Sequence, residues 1–151
     1  MVGSMEEMAY IFGMIFILSN KLQIVGDRID PLLTVKQWFL IVGVLQCEND
    51  APTLSEVASR IGSSRQNVKK MALVLEKRGF VSMEKDPNDA RIVRIRPTEL
   101  CVEHLKTRDI KERLFLERLF DGIKSEDLKT LSVVVKKLEK NLFEMELSHE
   151  K

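Results

Sequence analysis

The chain has 151 residues, a size that fits one domain able to bury its own core. With 44% hydrophobic and 31% charged residues it is not a wholly disordered chain. Twenty-four Lys and Arg against 23 Asp and Glu leave a net charge of +1, which argues against a uniformly basic coat for a polyanionic partner.

Cys47 and Cys101 are too few for a disulfide framework or a structural zinc site, so the chain suits a reducing cytoplasm. Residues 6 to 28 read as one apolar helix carrying Met8, Ile11, Phe12, Ile15, Phe16, Leu18, Leu22 and Val25. So wide an apolar face needs covering on more than one side, which points to a second chain. The run Met8 to Leu18 is too short to span a bilayer, and no membrane partner is expected. Glu6 and Glu7 stand where a secretion signal would carry positive charge. Met1 to Ser4 fit a cloning remnant ahead of a start at Met5.

Asp30-Pro31 breaks the helix. Thr34 and Gln37 have capping-box spacing and open a helix to about Gln46, with Trp38, Ile41, Val42 and Leu45 on its inward face. Thr53 and Glu56 form a second box, opening a short helix with Leu54, Val57, Ala58 and Ile61 inward. Gly62 ends it. Either Ser63 or Ser64 can cap the next helix, which runs to about Arg78; the choice of Ser64 leaves Gln66 facing outward. Val68, Met71, Ala72 and Leu75 form its inward stripe, and Gly79 stops it.

Phe80, Val81 and Met83, then Ile92, Val93 and Ile95, read as two strands around the turn Asp86-Pro87-Asn88-Asp89. Pro97 ends the hairpin and Thr98 caps a long helix to about residue 121. Ser125 caps the last helix. Its apolar residues Leu128, Leu131, Val135, Leu138, Leu142 and Met145 alternate spacings of three and four, as a helix-packing seam does.

Helix, glycine turn, helix, hairpin is the order of a winged helix-turn-helix. Its second helix fits a DNA major groove, and the hairpin beside it reaches phosphates or the adjacent minor groove. The charges agree. From Arg60 to Arg96 there are ten Lys and Arg and four acids, a net +6, while the rest of the chain carries −5. The fold class expected is therefore mainly α with a small β-hairpin wing.

Leu33-Thr34-Val35-Lys36-Gln37-Trp38, Leu54-Ser55-Glu56-Val57-Ala58 and Leu75-Glu76-Lys77-Arg78-Gly79-Phe80-Val81 resemble segments of the multiple-antibiotic-resistance regulator (MarR) family. Asp86-Pro87-Asn88-Asp89-Ala90-Arg91 resembles its wing tip most specifically. Pro97 and Cys101 depart from the Leu and Gly usual after the wing. The resemblance implies a homodimer that represses promoters through a palindromic operator in double-stranded DNA. It implies a division into residues 1–30 and 98–151 for dimerisation and 31–97 for DNA binding. By position it assigns Ser64, Arg65, Gln66, Asn67, Lys69 and Lys70 to the recognition helix. Arg91 falls on the minor-groove arginine and Asp89 on the acid that holds it.

Chemically, Gln66 and Asn67 suit adenine, Arg65 suits guanine, and Lys69 and Lys70 suit phosphates. Arg94 and Arg96 suit phosphates or simply keep the strand edge soluble. Relatives form an effector pocket for small aromatic or drug-like molecules; Phe12, Phe16 and Trp38 are either its lining or plain core. Cys47 and Cys101 read as structural thiols, and His104 and His149 as isolated from any ligand cluster. No cofactor or metal is expected. An enzyme is excluded by the lack of a phosphate loop, a His–base pair or metal spacing. The alternative is a winged helix serving as a protein-interaction module, against which the polar second helix speaks.

Overall fold

The computed structural model describes residues 4–149, with the side chain of His149 outside the description, as are Met1 to Gly3. Helix α1 spans Met5–Gly26, α2 Val35–Leu45, α3 Leu54–Arg60 and α4 Arg65–Lys77. Strands β1 (Val81–Lys85) and β2 (Val93–Pro97) follow, then α5 (Glu99–Leu119) and α6 (Ser125–His149). The fold is mainly helical with a two-stranded wing, as the sequence predicts. The chain divides into two compact units, through Glu112 and from Arg113 on.

Each helix start has a local cause. Ser4 caps α1 in a reciprocal box with Glu7, a spacing the sequence reading passed over when it set Ser4 aside. Thr34 with Gln37 and Thr53 with Glu56 form the two expected boxes. At α4 the structure selects Ser64, whose hydroxyl accepts the Asn67 N–H at 3.2 Å, while Ser63 accepts from the Asn67 side-chain amide at 3.0 Å. Gly62 and Gly79 end α3 and α4 at φ of 63° and 79°, where a Cβ would be strained.

Two expectations about helices change. Helix α1 stops at Gly26, two residues before the predicted end, because Asp27 turns to accept the Val35 N–H at 2.8 Å and clips α1 to the start of α2. At 22 residues α1 is also, by length and composition alone, long and apolar enough to cross a bilayer, which corrects the shorter run read from the sequence. On α2 the buried residues are Leu40, Ile41, Gly43 and Val44, and Leu45 is exposed, so the inward face is rotated from the predicted one.

In the first unit, the core joins Leu33, Leu40, Ile41 and Val44 to Leu54 and Val57, then Val68, Ala72 and Leu75, and closes on Phe80, Val81, Ile95 and Cys101. The wing is antiparallel, with Met83 opposite Ile95 and Val81 opposite Pro97. Proline has no N–H to give and sits at the end of the ladder, where none is needed. The Ile95 N–H goes instead to the Pro52 carbonyl at 3.0 Å, which seats the wing on the start of α3. In the second unit the α6 seam residues Leu131, Val135, Leu138, Leu142 and Met145 are all exposed in the single chain.

Candidate nucleic-acid interface

Helix α4 is anchored by Val68, Ala72 and Leu75 and shows its other face to solvent. The helical period therefore leaves Ser64, Arg65, Gln66, Asn67, Lys69 and Lys70 exposed together at its first two turns. Within that group, Ser64 is the cap, Asn67 is tied by its amide to Ser63 and Arg65 reaches the wing, so Gln66, Lys69 and Lys70 are the freer side chains.

The wing tip is ordered by two acids. Asp86 is buried, and one of its carboxylate oxygens accepts the N–H groups of Asn88 at 2.8 Å and Asp89 at 3.2 Å. The other pairs with the Arg94 guanidinium. Arg94, Asn88 N–H and Asp89 N–H hold the Asp86 carboxyl below the usual carboxylate range. Asp89 then grips Arg91 with two parallel bonds of 3.1 Å, and accepts the Arg91 backbone N–H at 3.0 Å. The pairing with Arg91 lowers the Asp89 pKa and raises that of Arg91. The Arg91 side chain nevertheless remains 90% exposed, so a planar guanidinium is fixed in direction and open to solvent.

Arg94 makes internal contacts. Half-buried, it spans from Asp86 to the Ala51 carbonyl at 2.8 Å and ties the wing to the segment before α3. The alternation of strand side chains could not show this, because the acceptors come from the turn and from 43 residues upstream. Asp86 and Ala51 were likewise missed; the Asp-Pro-Asn turn was the available signal for Asp86. Helix α4 and the wing meet where Arg65 Nη2 reaches the Arg91 carbonyl at 3.5 Å.

A cleft of about 680 Å³ opens between α1, α2 and the α3–α4 turn. Ile15, Leu18, Leu22, Phe39, Ile61 and Met71 make it apolar, and Ser63, Asn67, Lys36 and Gln23 add polar groups. Phe12, Phe16 and Trp38 are not in its lining. Phe12 and Phe16 are exposed and pack edge to face at 5.2 Å on α1. Trp38 lies under the Arg108 guanidinium at 5.2 Å. Cys101 is fully buried, and burial pushes its thiol up to about 11; burial also raises Cys47, whose Sγ faces the Gly43 carbonyl. Neither is in a setting that favours a reactive thiolate. His104, read as isolated, has its Nε2 2.6 Å from Asp30.

The MarR family model matches residues 33–93, from two residues before α2 through the wing tip to the first residue of β2. The transcriptional repressor MprA of Escherichia coli K12 is 30% identical over 99 residues, 66% of this chain and 56% of that protein. The chain thus spans little more than half the length of this relative. A MarR/EmrR family transcriptional regulator from Acinetobacter sp. ADP1 has the same fold at a TM-score of 0.79 and 16% identity, over 90% of this chain and 96% of that one. The organohalide-sensing regulator RdhR in its 2,4-dichlorophenol-bound form matches at a TM-score of 0.77 and 18% identity, over 93% and 82% of the two chains. With the wing motif and the winged-helix core, these likenesses make residues 33–93 of the chain similar to the MarR family of transcriptional regulators.

Proposed function

We propose that the protein is a homodimeric, sequence-specific DNA-binding repressor acting in the cytoplasm, with residues 31–97 reading DNA and the flanking helices, in 1–30 and 98–151, joining two copies. The observation that carries this reading is Arg91, oriented by Asp89 yet exposed, on a wing tip joined to the first residue of the recognition helix. Arg65 and Gln66 read base edges in the major groove, Asn67 and Ser64 support them, and Lys69 and Lys70 neutralise phosphates. Arg91 enters the minor groove. Arg94 holds the wing rather than the DNA, and the exposed Arg96 takes a phosphate.

The operator is palindromic because a two-fold dimer presents two copies of the same surface. The cleft beside α4 is the seat of a small apolar effector, a reading supported by its lining and by a fold neighbour solved with 2,4-dichlorophenol. Binding there relieves repression by favouring a dimer whose reading helices do not match successive major grooves.

The test is fluorescence anisotropy with duplexes selected by the protein from a random library. Affinity falls steeply with salt as counterions are released. Loss of a charge-assisted contact of about 1.5–3 kcal/mol makes Arg91→Ala roughly ten- to a hundredfold weaker. Unchanged affinity of this variant, at a Tm equal to that of the parent, overturns the wing assignment.

A further inference from the structure

Between α5 and the α1–α2 loop lies a polar cluster apart from the residues proposed to contact DNA. The Asp30 carboxylate is buried in the loop between α1 and α2. It accepts the Leu32 N–H at 2.8 Å and Arg108 Nη1 at 2.8 Å, and lies 2.6 Å from His104 Nε2. Arg108, itself 3% exposed, pairs through Nε with Glu112 and lies over Trp38 of α2. His104 packs edge to face on Phe80, just before β1, at 5.4 Å. One carboxylate thus ties two successive turns of α5 to the α1–α2 loop, while Arg108 reaches Trp38 of α2 and His104 packs on Phe80 at the base of the wing.

Helix α5 has a second attachment at its start. The Thr98 hydroxyl donates to the Gly79 carbonyl at 2.6 Å and accepts the Cys101 N–H at 3.2 Å. A helix pinned at one end pivots; pinned at two places it has a fixed direction. From Thr98 to Arg108 is about 15 Å along the axis at 1.5 Å per residue. A slip of about 1 Å at Arg108 therefore turns α5 by roughly 4°, which over the ~34 Å between successive major grooves amounts to about 2 Å. That is more than half the rise of a base pair, about 3.4 Å.

We propose that Asp30, His104 and Arg108 are positioning residues that set the angle of α5 against the winged helix, and through it the half-site spacing that the dimer accepts. This rests on the reading of the protein as a DNA-binding dimer. A burial-only role predicts loss of stability with no change in spacing preference, so spacing is the informative measurement.

The experiment uses the full chain and a duplex selected from a random library by the wild type, resynthesised with one or two base pairs inserted or removed at the dyad. Wild type loses affinity on every altered spacing, on the order of tenfold or more for a single base pair. Asp30→Asn binds the original and the one-base-pair variants within about threefold of each other, and binds a single half-site as wild type does. His104→Phe keeps the packing on Phe80 and removes the donor, so it tests the same point should Asp30→Asn not fold. His104→Gln restores a donor and with it most of the spacing preference. Folded variants that keep the full wild-type discrimination overturn the positioning role. Wild type that is itself indifferent to spacing overturns the two-site dimer reading, and the latch with it.

Discussion

At the scale of single residues, buried charge is affordable only where its hydrogen-bonding capacity is filled. Burial raises the Asp30 pKa, but the bonds from His104, Leu32 N–H and Arg108 outweigh it and hold the carboxyl below its ordinary value. A lowered folded-state pKa adds stability that is complete above the unfolded pKa of about 3.9 and disappears as pH falls through the folded value. Asp30→Asn removes one of the two carboxylates that pair with buried Arg108, leaving Glu112, a loss of about 1.5–3 kcal/mol as for a hydrogen bond to a charged group. The Tm gap between the variant and wild type is therefore present at pH 5 and closes below about pH 4. A gap that persists unchanged through that fall would sink the account. The sequence marked Asp30 only as a helix breaker, because its partners stand 74 and 78 residues away. The pairing of Asp89 with Arg91 was legible through the family resemblance of the wing tip, and the structure forms it within one turn.

Elements were legible wherever their signal is local. The capping boxes, the glycine stops and the Asp-Pro-Asn-Asp turn all act within a few residues, and the structure has them where the chain implies. Faces were less legible. On α2 nearly every residue is apolar, so the period gives no unique inward stripe, and the contact with α3 decides it. Gly43 is the pivot: a Cβ there would come within 2.4 Å of the Ile61 Cγ2. Gly43→Ala therefore pushes α2 off the α3–α4 turn at a cost of about 1–3 kcal/mol, as overpacking does. Chemical denaturation measures it; a neutral or stabilising change would show that Ile61 moves aside freely. Ser64→Ala removes the cap of the reading helix and costs about 1 kcal/mol. It weakens specific binding more than the loss of stability explains, since Ser64 also sets the helix start that aims Gln66.

At the scale of the whole molecule, large apolar side chains stand exposed on α1 and α6, among them Ile11, Phe12, Ile15 and Phe16, and Leu131, Leu138 and Leu142. Apolar surface of this extent marks an interaction site, and the proposed dimer covers it with the matching faces of a second copy. Sedimentation at micromolar concentration should give the mass of two chains. Phe12→Glu with Phe16→Glu should give one chain and lose operator affinity; a dimer undisturbed by both charges would place the interface elsewhere. The same exposure explains why α1 passes for a bilayer-spanning helix by composition. Composition cannot separate burial in lipid from burial against protein. The net charge of +1 was equally uninformative until position divided it into a basic winged helix and acidic flanks. The sequence by itself determined the order of elements, their caps, the wing motif and the charge division, because each depends on neighbours a few residues apart. Tertiary structure alone decided that Arg94 braces the wing, that the cleft excludes Phe12, Phe16 and Trp38, and that Asp30 gathers His104 and Arg108. Those outcomes depend on which distant side chains share a small volume, and linear spacing carries no record of that.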